Sequence, residues 1–254
     1  SIYTNAVQPI PALYRGCPGF CLTYDRSGSI SVADFNLQTE GIAEAVKNNV
    51  PTDSTVEISA YTFGDDADEL VSPTVIDSSG TLNSVASDIE NATQGFFQGT
   101  NMSAGISDLS GALQGSNSFG PDSDTFINIS TDGQPNSDTD ASSASDTANT
   151  DGIDGISAEA VGSFADRSFL SEEIVFPNQP GPILNPAGGD SLPDPRTQGF
   201  VAEVSGFSEF GTVVDEKVSQ TVDPDPVPIP GALGLLSAGL VVLGSVARSR
   251  ASGV

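Results

Sequence analysis

Three short segments, far apart in the chain, carry the side chains best suited to chemistry: Asp25-Arg26-Ser27-Gly28-Ser29, Gly99-Thr100-Asn101 and Thr131-Asp132-Gly133. The first is a D-x-S-x-S pattern. Brought together, Asp25, Ser27, Ser29, Thr100 and Asp132 would offer two carboxylates and three hydroxyls. Hard cations such as Mg2+, Mn2+ or Ca2+ prefer such an all-oxygen set. Each segment alone has a plainer reading. Ser27 or Ser29 could cap a helix, Thr100-Asn101 could cap the next one, and Asp132-Gly133 could be a turn. Their joint occurrence in this order, each beside a suitable element, favours the cation.

The elements that must position them can be read from periodicity. Phe20-Cys21-Leu22-Thr23-Tyr24 is an apolar run that reads as a buried strand ending at Asp25, and Phe126-Ile127-Asn128-Ile129 leads in the same way toward Asp132. A helix is expected over 32–49, with Phe35, Ile42 and Val46 on one face, then a strand over 55–63 and a shorter one over 71–76, antiparallel at the sheet edge. Leu82, Val85, Ile89, Ala92 and Phe96 recur with helical period, as do Met102, Ile106, Leu109 and Leu113. A polar helix over 139–149, strands over 156–161 and 199–204, and a last helix marked by Phe207, Phe210, Val214 and Val218 complete the pattern. Such alternation predicts an α/β fold, a doubly wound, mainly parallel sheet with helices on both faces. Ligands of such sheets bind beyond the carboxyl ends of the strands, where the strand order switches. Residues 1–19 form an N-terminal arm, 20–222 the domain, and 177–198, with Pro177, Pro180, Pro182, Pro186, Pro193 and Pro195, a long irregular loop.

The composition excludes several functions. The formal charge is −26, from 34 acidic against 8 basic residues. That surface repels nucleic-acid phosphates and anionic lipid, so neither is an expected partner. It suits cation-rich surroundings, although acidic surfaces also simply keep exported or halophilic proteins soluble. There is no histidine, hence no Ser-His-Asp or Cys-His arrangement. No Gly-rich phosphate loop with lysine and no G-x-S-x-G elbow is present. Asp138, Asp140, Asp146, Asp151 and Asp154 crowd a Ser/Ala/Thr-rich stretch that reads as a solvated acidic face. The two cysteines, Cys17 and Cys21, either close a small disulfide loop before the first strand or leave Cys21 as an ordinary buried strand residue.

The three segments resemble the metal-ion-dependent adhesion site (MIDAS) of the von Willebrand factor A (VWA) domain, with all five ligand positions matched. Asp34-Phe35-x-Leu37-Gln38, Gly41 and Gly199-Phe200-Val201 further resemble a proteobacterial VWA subfamily of undefined function. The resemblance implies a VWA/Rossmann-like fold and a divalent cation, with Mg2+ ahead of Mn2+ or Ca2+. Ser27 and Ser29 would bind it directly, Thr100 directly or through water, and Asp25 and Asp132 through ordered waters or directly. The open coordination position would take an Asp or Glu carboxylate from a protein or matrix partner. Weak neutral hydroxyl donors leave the cation electrophilic, which suits that capture. The expected function is cation-dependent binding without catalysis. The alternative is a structural matrix or surface component whose cation only stabilises the domain.

Beyond the domain the chain changes character. Residues 223–230 are a proline-rich linker containing Val227, Pro228 and Pro230, and the uncharged segment from Gly231 to Ala247 is followed by Arg248 and Arg250. As a helix it would rise roughly 25 Å, slightly short of the roughly 30 Å hydrocarbon core. Proline motif, apolar helix (231–254 with its basic end) and arginines together resemble a PEP-CTERM sorting signal of the V-P-x-P type. That implies export from a Gram-negative bacterium and transient anchoring in the inner membrane, with a cytoplasmic C-terminus. Cleavage by an exosortase would then deliver the body to the cell surface or extracellular matrix. The membrane would be met only through this helix.

Overall fold

The apolar run beginning at Phe20 lies in the middle of a seven-stranded sheet ordered β3-β2-β1-β4-β5-β7-β6. In this computed structural model, which describes residues 16–95, 99–116 and 123–222, the strands are β1 (Gly16–Asp25), β2 (Glu57–Phe63), β3 (Ala67–Val75), β4 (Ser123–Thr131), β5 (Gly155–Val161), β6 (Ile183–Leu184) and β7 (Val201–Val204). Every neighbouring pair is parallel except β2 with β3, the antiparallel edge hairpin expected from the sequence. The helices are α1 (Val32–Asn49), α2 (Ser79–Glu90), α3 (Met102–Gly115), α4 (Asp138–Thr150), α5 (Arg167–Phe169, running into a π-helical turn over Leu170–Ile174) and α6 (Phe207–Val222). The sorting-signal residues Val227, Pro228, Pro230, Arg248 and Arg250 lie outside the described residues, as do the rest of 223–254, residues 1–15 and Phe96. Among the described residues no helix is long and apolar enough to cross a membrane.

Both faces of the sheet are covered, so its central strands are buried along their length rather than on alternate residues. Within β1, Phe20, Leu22 and Tyr24 point into one core with Phe35 and Ile42 of α1, Ile89 of α2 and Phe210 and Val214 of α6. Cys21 points into the other, with Ile106 and Leu109 of α3, Ala144 of α4 and Ile174. This is the period-two alternation of a strand feeding two layers. Helices α1 and α6 approach closely at Gly41, where a Cβ would stand 2.9 Å from the Gly211 Cα. That contact explains the glycine noted in the first helix.

Several local expectations change. Cys21 is a free, buried thiol in contact with Ser59, Sγ to Oγ 2.5 Å, so the Cys17–Cys21 disulfide does not form. Strand β1 runs through both positions, and four residues of extended chain span about 13 Å, against a limit near 7 Å for a bridged pair. Helix α2 stops at Glu90, before Ala92, because the Asn91 side chain donates to the Ser87 carbonyl, 2.7 Å, and closes the end. The last strand starts at Val201, because the Gly199 N–H is taken by the Pro177 carbonyl at 2.8 Å rather than by a neighbouring strand. The 177–198 loop is less irregular than expected, adding the short edge strand β6 and a 3-10 turn at Pro186–Gly188. Arg196 ties it down through Asp124, Nε to Oδ2 3.0 Å, and the Thr221 carbonyl, 2.9 Å, with its guanidinium over Phe126.

One ionic contact lies wholly inside. Lys217 of α6 is 1% exposed and pairs with Glu159 of β5, which is fully buried, at 2.8 Å. Glu159 also accepts from Asn128 Nδ2 at 2.9 Å and Ser130 Oγ at 2.7 Å. Burial lowers the Lys217 pKa, opposed by the Glu159 charge. Removing one member of such a pair strands the other. Lys217→Met is expected to cost about 3–5 kcal/mol in denaturant unfolding, and Lys217→Met with Glu159→Leu clearly less. Equal losses in the single and double variants would contradict this reading.

Candidate metal centre

Strands β1 and β4 are parallel neighbours, in register from Gly19 with Thr125 to Tyr24 with Ser130. Asp25 and Asp132 therefore leave the sheet on the same edge, on chains about 5 Å apart. After β1 the chain crosses to the layer of α1, and after β4 to the layer of α4. The divergence opens a crevice between the two, the switch point expected for ligand binding.

The side chains of that crevice are joined. Asp25 is fully buried. Its Oδ1 accepts the Ser27 N–H at 2.7 Å and its Oδ2 accepts the Thr131 hydroxyl at 2.8 Å. The Ser27 and Ser29 hydroxyl oxygens are 2.9 Å apart, and Ser29 donates to Asp132 Oδ1 at 2.7 Å. Neither serine caps α1. That role belongs to Ser31, whose side chain accepts from the Asp34 N–H, so the helix-cap explanation for Ser27 and Ser29 is excluded.

Thr100 arrives from the N-terminus of α3. Asn101 caps that helix and donates its backbone N–H to the Gly64 carbonyl at 2.7 Å, beyond the end of β2. Asn136 grips Thr100 from both sides. The Thr100 N–H donates to Asn136 Oδ1 at 2.8 Å, and the Asn136 N–H donates to the Thr100 carbonyl at 2.9 Å. A Cβ on Gly133 would stand 3.7 Å from Thr100 Oγ1 and 3.9 Å from Ser29 Oγ, so both hydroxyls face the same glycine. A Cβ on Gly99 would fall 2.6 Å from Asn136 Nδ2 and 2.8 Å from Asp65 Oδ1. A side chain there would have to displace both of those side-chain ends.

All five expected residues thus border one crevice. Four supporting residues were not assigned roles from the sequence. Thr131 orients Asp25 and Asn136 orients Thr100. Gln38 donates to the Asp25 carbonyl at 3.1 Å. Gln94 donates to the Ser27 carbonyl at 3.3 Å and also to that of Ile30. Thr131 and Gln38 belong to the sequence motifs described above, and an asparagine in the turn after Asp132 suits side-chain-to-backbone bonding. Gln94 carried no local signal. Among the described residues no three His, Cys, Asp or Glu side chains gather as a metal-binding group. The donor set rests on two carboxylates and hydroxyls.

Burial pushes the Asp25 carboxyl up to about 7, against the lowering effect of the Ser27 and Thr131 hydrogen bonds, and the Asp132 charge adds to the rise. Asp132 is also raised, chiefly by burial, with Asp34 contributing. The cation-free folded chain therefore holds a proton at Asp25 that the unfolded chain, near 3.8, has already released. Stability from this group falls as pH rises through that window, by up to about 1.4 kcal/mol per pH unit, and is fully lost above the folded value. In EDTA, Asp25→Asn should flatten the pH dependence of unfolding free energy between about pH 4 and 7. An unchanged slope would contradict the assignment.

Comparison with known proteins agrees with this fold. Proximal thread matrix protein 1 from the mussel byssus superimposes with a TM-score of 0.62 at 15% identity, over 80% of this chain and 47% of that one. A second structure of the mussel protein, with a zinc-occupied MIDAS motif, gives 0.59 at 17% identity, over 82% and 46%. The chain thus spans just under half the length of that protein. The pilus adhesin SpaC from Lactobacillus rhamnosus GG gives 0.58 at 11% identity over 81% and 30%, and the conserved hypothetical protein BatB from Bacteroides thetaiotaomicron 0.53 at 17% over 81% and 98%. At these identities the likeness is one of fold, and the fold is that of the VWA domain. No curated protein matches the sequence. The model of a family described as "Protein of unknown function (DUF1194)" matches residues 19–171, and the chain belongs to that family.

Proposed function

We propose that this DUF1194 chain binds a divalent cation through Asp25, Ser27, Ser29, Thr100 and Asp132 and uses it to capture the carboxylate of an Asp or Glu on a partner. The observation that carries the reading is the continuous chain from Ser27 through Ser29 to Asp132, beside an Asp25 carboxylate that is buried among hydroxyls and an amide. These oxygens are held together by hydrogen bonds of 2.9 and 2.7 Å, close enough to serve as adjacent ligands of one hard cation. The zinc-occupied MIDAS of the mussel protein supports a divalent cation in general, and the adhesin SpaC supports a binding role.

The chain's own residues would do three things. Ser27 and Ser29 would hold the ion through neutral oxygens, which leave a cation electrophilic. Asp25 and Asp132 supply charge that keeps it in place. The loops of Thr100 and Asp132 would stand beside the ion, and an outside carboxylate would complete its shell. The role read here is binding rather than hydrolysis, in keeping with the pilus adhesin SpaC of similar fold. The tail supports export and exosortase sorting, which would present this crevice at a cell surface or in a matrix.

Calorimetric titration of Mg2+, Mn2+ and Ca2+ into wild type, Asp132→Ala and Thr100→Ala tests the site. Saturable wild-type binding is expected, weakened at least tenfold (about 1.4 kcal/mol) in Asp132→Ala and to a smaller degree in Thr100→Ala, with both variants folded. Equal binding by wild type and Asp132→Ala, or none by wild type, would overturn the proposal.

A further inference from the structure

The side chains around the crevice mouth carry information about the partner that the five donors do not. Phe164 is 82% exposed, the most exposed large apolar side chain among the described residues, and Val32 is 66% exposed. Single exposed apolar residues are common and usually mean nothing. Position distinguishes these two. Phe164 lies in the loop leaving the carboxyl end of β5, the strand beside β4, and Val32 opens α1 three residues after Ser29. Both therefore sit on the rim from which a partner must approach the cation.

The loop bearing Phe164 is tied on both sides. Ala165 is buried. Asp166 caps α5 through the Phe169 N–H at 3.0 Å and accepts from Gln134 Nε2 at 3.3 Å, linking this loop directly to the one carrying Asp132. Arg167 donates to the Gly162 carbonyl at 2.5 Å and pairs with Glu203 at 2.6 Å. An aromatic ring is thus held out into solvent from a fixed loop one strand away from the candidate ion.

The same rim is acidic. Asp34, Asp65, Asp66, Asp138, Asp140 and Asp166 all follow carboxyl ends of strands or open the helices beyond them. The two arginines close by are engaged, Arg26 with Asp68 at 2.5 Å and Arg167 with Glu203. Such a field accepts one carboxylate at the cation but opposes a chain of regularly repeated anions.

Resting on the cation-binding reading above, we infer that the partner is a basic polypeptide segment in which a lone Asp or Glu is flanked by Lys or Arg and by an apolar residue, with Phe164 as the second anchor. The carboxylate completes the cation's shell, the apolar side chain covers Phe164, and the basic side chain meets the acidic rim. A guanidinium could also lie over the Phe164 ring. A polyuronate offers carboxylates as well, but its repeated charge meets the rim unfavourably and it has no apolar group for Phe164.

Wild-type full chain is immobilised in Mg2+ and exposed to a phage-displayed library of random peptides, with elution by EDTA. The recovered peptide is synthesised and its affinity measured for wild type, Phe164→Ser and Asp132→Ala, alongside a polyuronate probe. The expected result is enrichment of a single acidic residue between basic and apolar ones. Affinity should be at least tenfold weaker for Phe164→Ser, whose own Mg2+ affinity is unchanged, and lost in Asp132→Ala. Equal affinity for wild type and Phe164→Ser overturns the inference and leaves the cation site standing. Recovery of no EDTA-released peptide, or Mg2+-dependent binding of the polyuronate instead, overturns it too. Equal affinity for wild type and Asp132→Ala overturns both readings.

Discussion

A carboxylate is buried at the end of β1, and much of the structure around it serves to hold it there. Asp25 lies where β1 and β4 part company, with one oxygen on the Ser27 amide and the other on the Thr131 hydroxyl. Hydrogen bonds to a carboxylate offset only part of its lost hydration, which is why its pKa stays raised despite them. A cation in the adjoining crevice would offset the remainder. In that view the site is poised: the fold holds charge at a cost that the ion relieves, and the ion is held by the charge that made folding harder.

The rest of the scaffold sets the distances in that arrangement. Parallel pairing of β1 with β4 fixes the separation of the two acidic segments, and the opposite departures of α1 and α4 keep the space between them open. Gln38 and Gln94 pin the backbone on either side of the serines, and the mutual bonds of Thr100 and Asn136 bring a third loop to the same place. Binding groups carried on loops but fixed by such backbone bonds lose little entropy when a ligand arrives. The high overall negative charge acts in the same sense, raising local cation concentration while discouraging polyanions.

The fold was legible in the sequence where burial is two-sided and periodicity is strong. Phe20 to Tyr24, Phe126 to Ile129 and the α1 and α3 patterns carry enough apolar residues to name their elements and order. The edge was not legible. Strand β6 has two residues inside a proline-rich stretch, and the turn from Arg167 to Ile174 buries only Leu170, Ser171 and Ile174, too few to show a period. The five candidate donors were readable because hydroxyls and carboxylates at strand ends are chemically distinctive. Their supports were harder to see, because a glutamine reaching a carbonyl 67 residues away leaves no trace in local pattern. Cys17 and Cys21 show the opposite hazard, since close spacing suggested a bridge that an extended strand cannot make.

The most direct test of this account is anomalous diffraction from crystals of the chain grown in Mn2+. One anomalous peak is predicted in the crevice, about 2.2 Å from the Ser27 and Ser29 hydroxyl oxygens, with its open side toward the rim that carries Phe164. An empty crevice at saturating Mn2+, with the Ser27–Ser29–Asp132 hydrogen bonds intact, would contradict it.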